Sequence, residues 1–332
     1  MADEVVTLTA NPSLDRTLGL DGPLTVGQVQ RTSGVTEQAG GKGLNVARVV
    51  ISAGHGVTAV VPEVDELYRE LAGLRPAVPL LADDLAPGRR VRVNTAVTEP
   101  DGTTTKINES GHRLDEAALL RARKRLLEAA EGADWVVLSG SLPPGAPVDW
   151  YAELSAAVAE RGCRVAVDTS GRYLSAVVDA LPASRIDVLK PNADELAELA
   201  GGDAAAFEAS AADGDVSEIA AAAGRLVEAG VGNVLVTLGG SGAVLVNADG
   251  AWYAPSPKIA VRSTVGAGDS ALAGFILADL EQAGPEGCLA SAISYGSAAA
   301  ALPSTTLPTP RDAAGLATEV VSVERPTVSI NR

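Results

Sequence analysis

The stretch Ser263-Thr264-Val265-Gly266-Ala267-Gly268-Asp269-Ser270 sets a carboxylate directly behind two glycines. A strand over 258–262 is expected before it and a long apolar helix, about 269–282, after it. Three roles suit an Asp placed there. It caps a helix N-terminus, as Asp commonly does. Alternatively it belongs to a dinucleotide-binding turn, because Gly266-Ala267-Gly268-Asp269-Ser270-Ala271 has the G-x-G-x-x-A spacing. Against this, the turn lies late in the chain and its carboxylate would repel a pyrophosphate. The third role is phosphoryl transfer. Backbone N–H groups of Gly266, Ala267 and Gly268 at a positive helix end suit charge developing on transferring phosphoryl oxygens. Asp269 then suits the proton of an attacking hydroxyl.

Two further Gly-rich turns carry polar side chains. Gly40-Gly41-Lys42-Gly43-Leu44-Asn45 leads into a helix expected over 46–53. It is not a phosphate loop of the G-x-x-x-x-G-K-[ST] type, since Gly43 follows the Lys and the upstream glycine spacing is absent. A helix start bearing a Lys is an anion or hydroxyl site; a tight strand–helix turn would need the glycines but not the Lys. Only five of the 26 basic residues are lysines, namely Lys42, Lys106, Lys124, Lys190 and Lys258, so one in a Gly-rich turn stands out. Thr237-Leu238-Gly239-Gly240-Ser241-Gly242 joins two strands, either as a plain hairpin turn or as a close backbone approach to a phosphate or ribose. Other chemistries lack their residues. His55 and His112 have no metal-ligand spacing, no G-x-S-x-G elbow occurs, and no Cys/His pair suggests a thiol nucleophile.

Elements must hold these side chains. Val5–Thr9, Trp135–Ser139, Arg164–Asp168, 187–190 and 233–237 are short apolar runs ending in a polar residue. Strands buried on both faces of a parallel sheet have that pattern. Helical patterns over 114–131, 150–161, 194–200 and 216–229 alternate with them, which predicts an α/β fold with right-handed crossovers. Ligands in such folds bind beyond the C-terminal strand ends, so Ser139, Asp168, Lys190 and Thr237 are the first places to look. Residues 11–37 and 89–108 break the rhythm. Both alternate polar and apolar residues around turns, Asp21-Gly22-Pro23 and Pro100-Asp101-Gly102, which predicts a small sheet over the mouth of the main domain. Residues 204–214 suggest a loose surface insertion.

Composition sets the outer bounds. The 332 residues suffice for one large domain with a small appendage, and 46% hydrophobic residues allow a sizeable core. A net charge of −16 argues against nucleic acid as a partner. Cys163 and Cys288 are too few for a disulfide framework. No secretory signal or membrane-spanning stretch is evident, so a reduced, soluble, cytoplasmic protein is expected.

Six segments lie in order along nearly the whole chain: Leu8-Thr9-Ala10-Asn11-Pro12-Ser13-Leu14-Asp15-Arg16-Thr17, Ala39-Gly40-Gly41-Lys42-Gly43-Leu44-Asn45-Val46-Ala47-Arg48, Leu138-Ser139-Gly140-Ser141-Leu142-Pro143-Pro144-Gly145, Lys190-Pro191-Asn192-Ala193-Asp194-Glu195, Thr237-Leu238-Gly239-Gly240-Ser241-Gly242-Ala243 and the 263–270 turn. Together they resemble the PfkB branch of the ribokinase-like carbohydrate kinases. The resemblance implies a three-layer αβα sandwich with a mostly parallel sheet, built from residues 1–10, 38–88 and 109–332, and a β-sheet lid from 11–37 and 89–108. It implies an ATP-dependent phosphosugar kinase with Asp269 as base and Gly266, Ala267 and Gly268 as anion hole. Asp15, Gly41, Asn45, Asn108 and Ser139 would hold the sugar, and Lys42 and Arg92 its existing phosphate. Lys190, Asn192, Thr237, Gly239 and Gly242 would hold ATP, and Glu195 a Mg²⁺ through water. The implied set is ATP and Mg²⁺, optionally K⁺, in a homodimer formed through the lid.

The segments Gly40-Gly41-Lys42-Gly43, Arg92-Val93-Asn94 and Thr105-Lys106-Ile107-Asn108 resemble 1-phosphofructokinases most and tagatose-6-phosphate kinases next. The expected reaction is therefore attack of the 6-hydroxyl of fructose 1-phosphate on ATP, giving fructose 1,6-bisphosphate. A sugar-phosphate sensor with a kinase fold is the non-catalytic alternative, but it would have no need of a base at Asp269. The chain departs from the family in two places. Glu63-Val64-Asp65-Glu66 replaces a Gly-Gly turn, and Pro303-Ser304-Thr305-Thr306 replaces a Pro-Gly-Thr turn.

Overall fold

The computed structural model describes residues 4–74, 76–303 and 305–324; Ser304 of the second departure lies outside them. The strands in chain order are β1 (Val5–Thr9), β2 (Ser13–Gly19), β3 (Gly34–Gly40), β4 (Val57–Val64), β5 (Leu80–Asp84), β6 (Arg92–Thr98), β7 (Thr104–Asn108), β8 (Trp135–Ser139), β9 (Arg164–Asp168), β10 (Ile186–Leu189), β11 (Val231–Thr237), β12 (Ala243–Asn247), β13 (Ala251–Ala254) and β14 (Val321–Ser322). The main sheet has the order β14-β13-β12-β11-β10-β9-β8-β1-β4-β5, the small one β3-β2-β6-β7. From β11 to β5 all neighbours are parallel; β12, β13 and β14 add an antiparallel edge.

Alternation along each central strand supplies two cores. Val6, Leu8, Val136 and Leu138 face one helical layer, while Val5, Trp135 and Val137 face the other. The first layer contains Glu116–Ala129, Trp150–Ala159 and Ser217–Ala229; the second contains Lys42–Ser52, Ala267–Leu280 and Gly284–Ala301. The result is a three-layer α/β sandwich. From β1 the chain adds β4 and β5 on one side, then β8 to β11 on the other. That reversal opens a crevice at the C-terminal ends of β1 and β8, where Thr9, Ser139 and Asp168 lie in register.

The small sheet sorts its residues by face. Asp15, Gln38, Asn94 and Asn108 align across its strands, as do Thr17, Ala96 and Lys106. The opposite face carries Leu18, Val35, Val97 and Ile107.

Three local expectations change. Residues 258–262 form no strand; Pro255 and Pro257 just before them cannot donate to a ladder. The helix after the first Gly-rich turn starts at Lys42 rather than Val46, with Gly41 as its N-cap. Residues 204–214 are mostly a helix, Ala204–Ala212, capped by Asp203 and docked through Phe207 and Ala211. Its run of Ala, the strongest helix former, accounts for that. Cys163 and Cys288 are buried and unpaired. Among the described residues no helix is long and apolar enough to cross a membrane.

Candidate active site

Asp15 projects from β2, and its Oδ1 accepts from Ser13 Oγ at 2.9 Å and Asn94 Nδ2 at 3.1 Å. A Cβ on Gly40 would fall 2.1 Å from Asp15 Oδ2, so a side chain at the end of β3 would displace the Asp15 carboxylate. Burial raises the Asp15 pKa against these hydrogen bonds and the nearby Arg92 and Arg48 charges. Arg92 itself donates to the Glu109 carbonyl at 3.2 Å.

The helix Lys42–Ser52 is seated by its own backbone: Leu44 N–H donates to Thr9 Oγ1 at 2.8 Å. Lys42 and Asn45 then leave its first turn toward the crevice. Lys42 Nζ lies 2.7 Å from Asp168 Oδ1, and Asn45 Nδ2 donates to Asp269 Oδ2 at 2.8 Å. Lys190, just past β10, brings Nζ to 3.3 Å from Asp168 Oδ2, a contact of charge without an aligned hydrogen bond.

The helix Ala267–Leu280 begins at Gly266, which takes the left-handed φ of 78°, and no side chain caps it. Asp269 lies inside its first turn, 7% exposed, and bonds Asn45 instead of a backbone N–H of its own helix. The cap role therefore falls away. The dinucleotide role falls too, because that fingerprint needs a strand leading into the turn and none is present. Burial pushes the Asp269 carboxyl up to about 6; Asp168 adds to the rise, while Lys42, Asn45 and Lys190 oppose it. A carboxyl poised near the working pH is suited to general-base chemistry. Burial alone would lower Lys42, yet Asp168 and Asp269 beside it raise it. Burial would raise Asp168, yet Lys190 and Lys42 hold it low.

Two cavities meet along the Gly turn. One, of about 540 Å³, is lined by Asn192, Thr237, Gly239, Gly242 and by Ala267 and Gly268, with an apolar wall from Ala292, Ile293 and Ala300. The other, of about 770 Å³, lies between the small sheet and residues 261–265; Asp15, Asn94, Lys106 and Asn108 face it. Val261 and Thr264 line both, so the turn is the partition between them.

Asp269, Asn45, Lys42 and Lys190 thus form one cluster. Asn192, Thr237, Gly239 and Gly242 share the first cavity, and Asp15 and Asn108 the second. Gly41, Arg92 and Ser139 line neither; Ser139 is fully buried and its Oγ has no hydrogen-bond partner among the described residues. Glu195 closes a capping box with Asn192, each side chain accepting from the other's N–H at 2.8 and 2.9 Å. In the Glu63 segment, Glu63 pairs with His112 and Arg121, both at 3.2 Å, while Asp65 caps Glu66–Ala72. Neither faces the two cavities. Sequence reasoning gave Asp168 no role beyond its place at a strand end and overlooked the Asn94 bond to Asp15. A charged residue closing an apolar strand is a signal for the first; the apolar wall, from a plain Ala-rich helix, gives none.

Residues 85–312 match the model of the pfkB family carbohydrate kinases. The chain is 35% identical over 291 residues to the 1-phosphofructokinase of Xanthomonas campestris pv. campestris, covering 85% of this chain and 86% of that protein. It is 36% identical to the 1-phosphofructokinase of Rhodobacter capsulatus, covering 83% and 84%. The solved structure of phosphofructokinase-2 from Escherichia coli in complex with substrates and products has a TM-score of 0.84 at 29% identity, covering 94% and 98%. The fold is thus ribokinase-like, the sugar-kinase chemistry fits the partitioned site, and the chain belongs to the PfkB family of carbohydrate kinases.

Proposed function

We propose that this kinase transfers the γ-phosphoryl group of ATP to the 6-hydroxyl of fructose 1-phosphate in one in-line step. The carrying observation is Asp269: a buried carboxyl, shifted up to about 6, in the turn that divides two cavities. Asp269 takes the hydroxyl proton as O6 attacks phosphorus and the bond to the bridging oxygen of ADP breaks. N–H groups at Gly266, Ala267 and Gly268 and the Lys190 ammonium stabilise charge on the moving group. Asn192, Thr237, Gly239 and Gly242 bind the nucleotide, whose base suits the apolar wall. Asp15, Asn45 and Asn108 hold the sugar and Arg92 its phosphate; Gly41 and the fully buried Ser139 make no such contact, and Lys42, paired with Asp168 beside Asp269, serves the transferred group instead. Glu195 accepts from the Asn192 N–H at 2.9 Å, with Asp194 beside it in the same helical turn. That suits a Mg²⁺ held through water and completed by nucleotide phosphates, which would offset phosphate charge.

The small sheet acts as a lid in this scheme, and its exposed Val35 and Ile107 suit a homodimer contact in the cytoplasm. The names of two relatives support the substrate. ADP release with fructose 1-phosphate, fructose 6-phosphate, tagatose 6-phosphate and free fructose, each with ATP and Mg²⁺, tests it. Fructose 1-phosphate should give the highest kcat/KM; tight binding without turnover of any of them would indicate a sensor. Repeating the assay with and without K⁺ tests the cation dependence suggested by the potassium complex of the Escherichia coli relative.

A further inference from the structure

Asp168 has no part in the roles assigned above, yet it sits at the centre of the cluster. It ends β9 at 1% exposure, and each carboxylate oxygen faces a different lysine: Lys42 Nζ at 2.7 Å from Oδ1, Lys190 Nζ at 3.3 Å from Oδ2. The two lysines come from different elements. Lys42 opens the helix that also carries Asn45. Lys190 leads into Asn192 of the first cavity, and a Cβ on Gly268 would stand 3.3 Å from its ammonium. The sheet fixes Asp168 itself: it pairs in register with Ser139, and its carbonyl accepts from Gly140 N–H at 2.8 Å.

We propose that Asp168 is a positioning residue whose carboxylate bridges Lys42 and Lys190, fixing the two ammonium groups beside Asp269, at the Gly turn where the phosphoryl group passes. The inference rests on the phosphoryl-transfer reading of the site. Free lysine side chains lose rotamer entropy when they are ordered; one shared, sheet-held carboxylate orders both before substrate arrives. A bridge serving stability alone needs one lysine, and burying a second ammonium adds desolvation cost. Asp168 also sets the charge around the base. The charged groups facing Asp269 are Lys42, Asp168 and Lys190, with Asn45 as its neutral partner and Glu195 acting on Lys42. Two lysines and one carboxylate leave one positive charge in excess. With Asp168 neutral the excess doubles, which favours the Asp269 carboxylate and makes it a weaker base.

Asp168→Asn, with folding checked by circular dichroism, tests this. kcat should fall about 100-fold, with both KM values changed by no more than about threefold. The acid limb of kcat should move down by about one pH unit. A carbon-13 titration of the Asp269 carboxyl in the unliganded protein should show the same shift without any turnover. A kcat within about threefold of wild type, or a fall in kcat with limb and carbon-13 midpoint both unmoved, would overturn the proposal. If wild type turns over no sugar phosphate, the kinase reading fails and the carbon-13 comparison still decides the role of Asp168. If Asp168→Asn does not fold, Lys190→Met replaces it: loss of a cation should move the Asp269 midpoint upward, and an unmoved midpoint refutes the bridge.

Discussion

Asp269 is held between opposing forces: burial raises its carboxyl toward 6, and Lys42 and Lys190 limit the rise. Catalysis that needs the ionised base should increase as pH rises through about 6. Asp269→Asn should lower kcat about 10³-fold while nucleotide affinity by calorimetry changes little. Near-normal turnover would leave the carboxylate without a chemical role. The same substitution has a stability signature. The carboxyl titrates near 3.8 when unfolded and about 6 when folded. The folded state therefore keeps its proton longer, and wild-type stability falls as pH rises through that window. Asp269→Asn should then gain nothing below about pH 4 and about 3 kcal/mol above about pH 7, read as the difference in Tm.

At the scale of elements, the site depends on how closely Ala267–Leu280 and Gly284–Ala301 approach. A Cβ on Gly274 would lie 2.6 Å from the Ser291 carbonyl oxygen and 3.0 Å from Tyr295 Cβ, and Ser291 Oγ donates to the Gly274 carbonyl at 2.7 Å. Glycine inside a helix costs about 1 kcal/mol of propensity, so Gly274→Ala would stabilise an isolated helix. Here it should instead destabilise by about 1–3 kcal/mol, because backbone on the facing helix must move. The two helices also supply Ala271 and Ala292 to the first cavity. Weaker nucleotide affinity should accompany the lower Tm; a raised Tm would show that the helix pair yields freely.

For the whole molecule, the small sheet presents two unlike faces. Asp15, Asn94 and Asn108 face the second cavity, while Val35 at 55% and Ile107 at 63% exposure lie on the opposite face. Ile107→Asp should shift sedimentation from dimer to monomer while the fold by circular dichroism is kept. A wild type that sediments as a monomer at every concentration would remove the proposed lid contact.

The sequence by itself determined the local pieces. Apolar runs ending in Ser139, Asp168 and Thr237 fall on strand ends, two of the Gly-rich turns fall where helices begin, and the third joins β11 to β12. These depend on neighbours in the chain, through periodicity and glycine backbone freedom, so they are legible without a fold. Residues 258–262 misled because Pro255 and Pro257 outweigh a short apolar run. Only the tertiary structure set aside the helix cap and the dinucleotide turn for Asp269, by giving it Asn45 as partner, leaving its helix start uncapped and placing no strand before the turn. It alone joined Lys42 and Lys190 through Asp168, and it alone made the Gly turn a partition between two cavities. Such contacts depend on which strands lie side by side, and strand order is set by packing across the whole sheet rather than by any segment within it.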